Sequence, residues 1–249
     1  MLPSSLRCTS QRAADAPAVS LLFVIQRRQS TPRIVDMSIL AKLSSQVGDR
    51  SQEPNRKVVI QCLDDPTLLV EIAEGLKDAA LVGDCAEVLT QVADQHPDWV
   101  APCAEALSAL LNHKTTRVRW EAMHALALVA RSTPKTIASL LPTLAEIIGS
   151  DPGATVRDHA TDAIGNHAAT VKPAAEKAYP LLREALSVWN GKPAGHALKG
   201  LVNVATMVPT SRDELHVTAE EHSRRGKGVV RKAAKELLKP TEPKPRIAG

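Results

Sequence analysis

The sequence predicts an all-α solenoid, in which helical hairpins stack in single file, and three observations predict it. A thirteen-residue pattern returns at intervals of 37 or 38: LVGDCAEVLTQVA from Leu81, VRWEAMHALALVA from Val118, VRDHATDAIGNHA from Val156, PAGHALKGLVNVA from Pro193 and a shorter VRKAAKELL from Val230. A period of this size marks a repeat architecture. Each copy aligns on a small residue (Cys85, Ala122, Ala160, Ala197, Ala234), with an apolar residue four positions on (Leu89, Leu126, Ile164, Leu201, Leu238). Counted from the small residue, apolar side chains recur at −4, 0, +3, +4, +7 and +8, as in Val118, Ala122, Ala125, Leu126, Val129 and Ala130. That is the stripe of an amphipathic helix, and no single copy buries it alone, so each must stack on its neighbours. Turn residues also fall between the predicted helices: Pro97, Thr133-Pro134, Asp151-Pro152-Gly153, Gly191 and Lys192-Pro193.

Residues 1–36 differ from the rest of the chain, with Arg7, Arg12, Arg27, Arg28 and Arg33 around a short apolar run, Val19 to Ile25. They read as a disordered leader or as an over-extended start with translation beginning at Met37. Residues 37–64 hold two short helices, near Ile39–Gln46 and Asn55–Leu63, as an N-terminal cap over the apolar end of the array. The regular array covers 65–239 and opens on Asp65-Pro66, an N-cap followed by proline. Its helices pair near 66–76 and 79–95, 98–112 and 115–131, 134–149 and 153–170, 173–189 and 192–207, and 211–222 and 227–239. The tail, 240–249, carries three prolines and is expected to be extended.

Composition narrows the function. The chain has a formal net charge of +4, but residues 223–249 carry +7 and residues 1–36 carry +3, which leaves −6 for 37–222. An acidic body disfavours nucleic acid, and five aromatic residues in 249 are too few for a base-stacking surface. The four cysteines show no paired spacing, and Cys85 occupies a small core position, so they read as reduced thiols. No 18-residue apolar stretch spans a membrane. These features point to the cytoplasm, or to an organelle if residues 1–36 are a transit peptide. Phosphate-binding glycine loops and the serine nucleophile elbow are absent.

The second helix of each copy resembles the HEAT-repeat family, best in DPGATVRDHATDAIG (Asp151–Gly165) and more weakly in TTRVRWEAMHAL and GVVRKAAKELL. A proline in the first helix, as in LLPTLAEII (Pro142) and YPLLREAL (Pro180), also matches that family. The resemblance covers about 65–239 and implies a right-handed α-solenoid of about five HEAT-like hairpins whose second helices line a concave, macromolecule-binding side. It also implies a structural ladder of repeat arginines, Arg119, Arg157 and Arg231, broken at Val82 and Ala194, where the copies lack the arginine.

Offsets −2 and +2 point away from the apolar stripe and so mark the expected partner-binding face. They supply Trp120, His124, Asp158, Asp162 and Lys199, with Trp120 as the aromatic anchor. The packed alternative for Trp120 is contact with a neighbouring helix. The acidic balance of this face predicts a protein partner with a basic segment. His159 and His196 share offset −1 in adjacent copies beside Asp162, but no third well-placed ligand accompanies them, so neither a metal nor another cofactor is expected. His167, at an offset held elsewhere by valine, reads as a core histidine. Arg224, Arg225, Lys227, Arg231 and Lys232 form a basic C-terminal patch, either a solvated cap or an anion-binding surface. The reading is therefore a non-enzymatic scaffold. The competing reading is a HEAT-like nucleic-acid binder or an alkylpurine DNA glycosylase-type enzyme, and a HEAT-like bilin lyase stands further off. The sequence leaves the oligomeric state open.

Overall fold

The computed structural model describes residues 38–242, so the readings made for residues 1–36 and for the end of the tail lie outside the described residues. Among the described residues every regular element is helical, with no strand. Ile39–Lys42 forms a 3-10 turn capped by Ser38, whose Oγ accepts from Leu40 N at 3.2 Å. A single turn, Ser44–Val47, then ends on Gly48 in the left-handed region (φ 71). Helix α1 (Glu53–Asp64) completes this first segment.

Five hairpins come next: α2 (Leu69–Gly75) with α3 (Val82–Gln95), α4 (Pro97–Val100) and α5 (Ala104–Ser108) with α6 (Thr116–Val129), α7 (Pro134–Ser150) with α8 (Ala154–Ala168), α9 (Lys172–Ala185) with α10 (Ala194–Met207), and α11 (Arg212–Arg225) with α12 (Gly228–Thr241). The second helices form one row, α1–α3–α6–α8–α10–α12, each packed on the next. The first helices flank that row.

The small positions explain the spacing. Cys85, Ala122, Ala160, Ala197 and Ala234 are all fully buried, as are Leu89, Leu126, Ile164 and Leu201 four residues on. Helices α8 and α10 meet backbone to backbone, since a Cβ on Gly165 would stand 2.7 Å from the Gly200 Cα. Only glycine admits that backbone-to-backbone approach. In α12, the last helix among the described residues, Leu237 at offset +3 is fully buried as its counterparts Val88, Ala125 and Ala163 are, while Leu238 at +4 is half-buried. Cys62, Cys85 and Cys103 are free and buried. Burial pushes the first two thiols up to about 12 and Cys103 up to about 11.

Four expectations shift. The helix expected at 66–76 begins as a 3-10 turn, Pro66–Leu68, with Asp65 Oδ1 accepting from Thr67 N at 3.0 Å, and becomes α-helical only at Leu69. The helix expected at 98–112 divides into α4, a 3-10 turn at Ala101–Cys103 and α5, because Pro102 cannot donate to the preceding turn. The helix expected to reach 189 stops at Ala185. Trp189, Asn190 and Gly191 then take φ of 51, 57 and 73. Left-handed backbone costs about 1–2 kcal/mol per non-glycine residue. It is offset here by Trp189, whose indole N–H donates to Ile148 O at 2.9 Å and whose ring lies 4.1 Å from the Arg157 guanidinium. The last helix runs past the expected Lys239 to Thr241, with Thr241 Oγ1 donating to Leu237 O at 2.9 Å beside Pro240.

Candidate partner-binding face on the second helices

Trp120 and His124 lie one turn apart on α6, Asp158 and Asp162 one turn apart on α8, and Lys199 lies on α10. Trp120 is 37% exposed and walls a cleft of ≈ 500 Å³ whose other sides include Ser45, Asp49, Arg50, Asp84 and Arg117. Lys199 is exposed, and the other three are half-buried because they bind one another's neighbours. His124 stacks on His159 across the α6–α8 junction, with centroids 3.9 Å apart. Asp162 Oδ1 meets His196 Nδ1 of α10 at 2.8 Å, and its other oxygen stands 3.8 Å from His159 Nδ1. Asp158 lies 3.9 Å from His196 Nε2. A single strip of titratable groups therefore crosses three consecutive second helices.

Local electrostatics differ along the strip. Burial acts to raise Asp162, but hydrogen bonds with His159 and His196 outweigh it and hold the carboxyl down at about 2. The same bond to Asp162 raises His196. Burial, with His159 beside it, pushes His124 down to about 4. Burial raises Asp158. Near neutral pH the strip thus presents ionised Asp162 on α8 and neutral His124 on α6, with His159 in contact with both.

The expectation that both offsets are open to solvent fails at the N-terminal end. Glu87, at +2, is buried: its carboxylate accepts from Asn55 Nδ2 at 3.0 Å and from Gln91 Nε2 at 3.0 Å, and pairs with Arg117 at 2.5 Å. Asp84 joins the cluster, accepting from Ser45 N at 2.8 Å, Asn55 Nδ2 at 3.1 Å and Arg117 Nη2 at 3.2 Å. Burial works to raise Asp84, but these donors prevail and lower it. Glu121, buried nearby, is raised by burial and by Glu87. Asn55 and Arg117 escaped the sequence reading. The available signal was weak: Asp84 and Glu87 share a helix face, but Arg117 follows them by 33 and 30 residues, off the repeat interval of 37 or 38.

The repeat arginines reach turn carbonyls of their own hairpins. Arg119 donates to His113 O at 2.8 Å and holds Asp151 of the next hairpin with two contacts, at 2.8 and 3.2 Å. Arg157 donates to Asp151 O and lies beneath Trp189, while Arg231 donates to Gly226 O at 2.9 Å. In the basic patch, Arg224 and Arg225 pair with Glu220 at 3.4 Å and Glu221 at 2.6 Å, both exposed. Lys227 and Lys232 are exposed and carry no ion pair among the described residues. Among these residues no group of three or more His, Cys, Asp or Glu is arranged to hold a metal ion, and no helix is long and apolar enough to cross a membrane.

No family model matches this chain, and no curated protein matches it. Solved structures do. An engineered protein from the Northeast Structural Genomics Consortium is 22% identical, with a TM-score of 0.63 over 83% of this chain and 99% of the other. A designed armadillo repeat protein in complex with the peptide (KR)4 is 18% identical, with a TM-score of 0.62 over 82% of this chain and 98% of the other. A second designed armadillo repeat protein is 20% identical, with a TM-score of 0.59 over 81% and 91%. At these identities the likeness carries the fold alone: an all-helical repeat solenoid.

Proposed function

We propose that this chain is a non-enzymatic scaffold of HEAT type that captures a Lys- or Arg-bearing segment of a protein partner along the second-helix face. The observation that carries this reading is the pair Asp158 and Asp162, half-buried but solvent-reaching, on a row of helices whose 37–222 body is net acidic. A carboxylate already partly desolvated binds a cation more strongly than one fully in water. Trp120 and the adjoining cleft supply an aromatic wall, and Lys199 bounds the acidic stretch on the α10 side. The (KR)4 peptide bound by a designed solenoid of similar shape is consistent with such a face. Arg119, Arg157 and Arg231 play a structural part here, fixing the hairpin turns so that the row stays in register.

The test is binding of fluorescent Lys/Arg peptides to the Asp158→Lys, Asp162→Lys double variant, with its melting transition followed in parallel. Affinity should fall at least about tenfold, as expected when charge pairs become like-charge contacts. Unchanged affinity in a folded variant rejects the face. The competing reading draws on the unpaired lysines of the C-terminal patch: tight, steeply salt-dependent binding of duplex or single-stranded DNA would favour it instead.

A further inference from the structure

We infer that His196 is a proton-operated gate on the second-helix face: with both ring nitrogens protonated it occupies Asp158 and Asp162 and turns a basic segment away, and with one proton it leaves them to that segment. The inference rests on the partner face proposed above and adds what regulates it.

One ring reaches both carboxylates. His196 Nδ1 lies 2.8 Å from Asp162 Oδ1, and Nε2 lies 3.9 Å from Asp158 Oδ2. Asp162, held down at about 2, stays ionised and can only accept. Nδ1 therefore keeps its hydrogen, and Nε2 is the nitrogen that gains or loses one. Gaining it sets an N–H and a full positive charge beside Asp158 while the bond to Asp162 persists. The three side chains are 28%, 31% and 29% exposed, so both water and a partner reach them. A Lys or Arg from outside must approach the same oxygens, so proton and segment compete for one place.

The surroundings favour His196 for this part. The bond to Asp162 raises it, against burial and against Lys199 one turn along α10. Its protonation thus falls above the ordinary histidine value of about 6.5. On α8, His159 reaches the other oxygen of Asp162 only at 3.8 Å and stacks on His124, which at about 4 stays neutral in this range. On α12, packed against α10, Lys232 and Glu236 hold the offsets of Asp158 and Asp162, so the acidic pair is not repeated there. Every charged residue of α9 is exposed, and α11 meets the far end of α10, where Arg212 donates to Ala205 O at 2.9 Å.

The experiment measures binding of a rhodamine-labelled (KR)4 peptide with blocked ends to the full chain at fixed ionic strength, and follows the His196 ring by NMR in parallel. Between about pH 8.5 and about pH 6 affinity should fall about tenfold. Saturating peptide should lower the His196 midpoint by about one pH unit, since linkage makes the two changes equal. His196→Gln keeps a donor for Asp162 but takes up no further proton, so it should bind at every pH as the wild type does at alkaline pH. His159→Gln should keep most of the slope. Peptide that binds yet leaves the midpoint in place overturns the gate and leaves the face standing, as does a slope that survives in His196→Gln or vanishes only in His159→Gln. Peptide that binds at no pH overturns both. The ring titration needs no variant and decides the matter even if His196→Gln does not fold.

Discussion

At the α1–α3–α6 junction Asp84 and Glu87 are buried and held by Asn55, Ser45 and Arg117, whereas at the α6–α8–α10 junction Asp158 and Asp162 stand half-buried among three histidines. Glu87 and Asp162 share the same repeat offset, yet only one remains reachable. The offset decides where a carboxylate sits; the partner on the next helix decides whether it is sealed or left for another molecule. A permanently charged arginine seals. Histidine leaves the junction responsive to pH.

The largest expected effect breaks the sealed junction. Arg117→Ala leaves two buried carboxylates without their cation and should cost about 2–3 kcal/mol in urea unfolding. That is below the ~3–5 of a fully buried pair, because half of Arg117 faces water. A loss under about 1 kcal/mol would mean that Asn55 and Ser45 suffice and that the two junctions are alike.

Next comes the backbone contact of the open junction. Gly165→Ala forces α8 away from α10 and should cost about 1–3 kcal/mol, while Gly149→Ala on α7, with nothing within 4 Å of the new methyl, should be neutral or slightly stabilising. Equal melting temperatures for the two variants would contradict the close approach at Gly200.

The smallest effect separates the histidines by pH. His196, raised by Asp162, contributes stability that is full below its unfolded value of about 6.5 and is lost as pH rises through its folded pKa. His124, held at about 4, contributes in the opposite sense: its share is intact above about 6.5 and lost as pH falls towards 4. His124→Phe should therefore flatten the acid side of a stability-against-pH curve, and His196→Gln the neutral-to-alkaline side. Identical curves for both variants would show that the strip does not titrate as described.

The array was legible because its signal is local and repeated: Ala122, Ala160 and Ala197 declare the buried stripe each time, and His167 sits in the core as its offset demands. The first helices were less legible. Pro102 breaks one, while α7 and α9 run unbroken through Pro142 and Pro180, so proline alone does not decide continuity. The partner face was only partly legible. Trp120 and Lys199 do reach solvent, but the sealing of Glu87 depends on Asn55, a residue of the atypical first segment with no counterpart in the repeat. The stop at Ala185 depends on Trp189 meeting Ile148 and Arg157, contacts about one repeat away that no local propensity encodes.

The three buried thiols have a practical consequence. Cys62 and Cys85 sit in the first segment and first hairpin and Cys103 in the second, while the sequence beyond carries no cysteine. With their pKa values pushed to about 11–12, they stay protonated and shielded until the helices around them part. With Cys8, which lies outside the described residues, replaced by serine, an alkylating reagent therefore times the fraying of one end of the stack and is blind to the other.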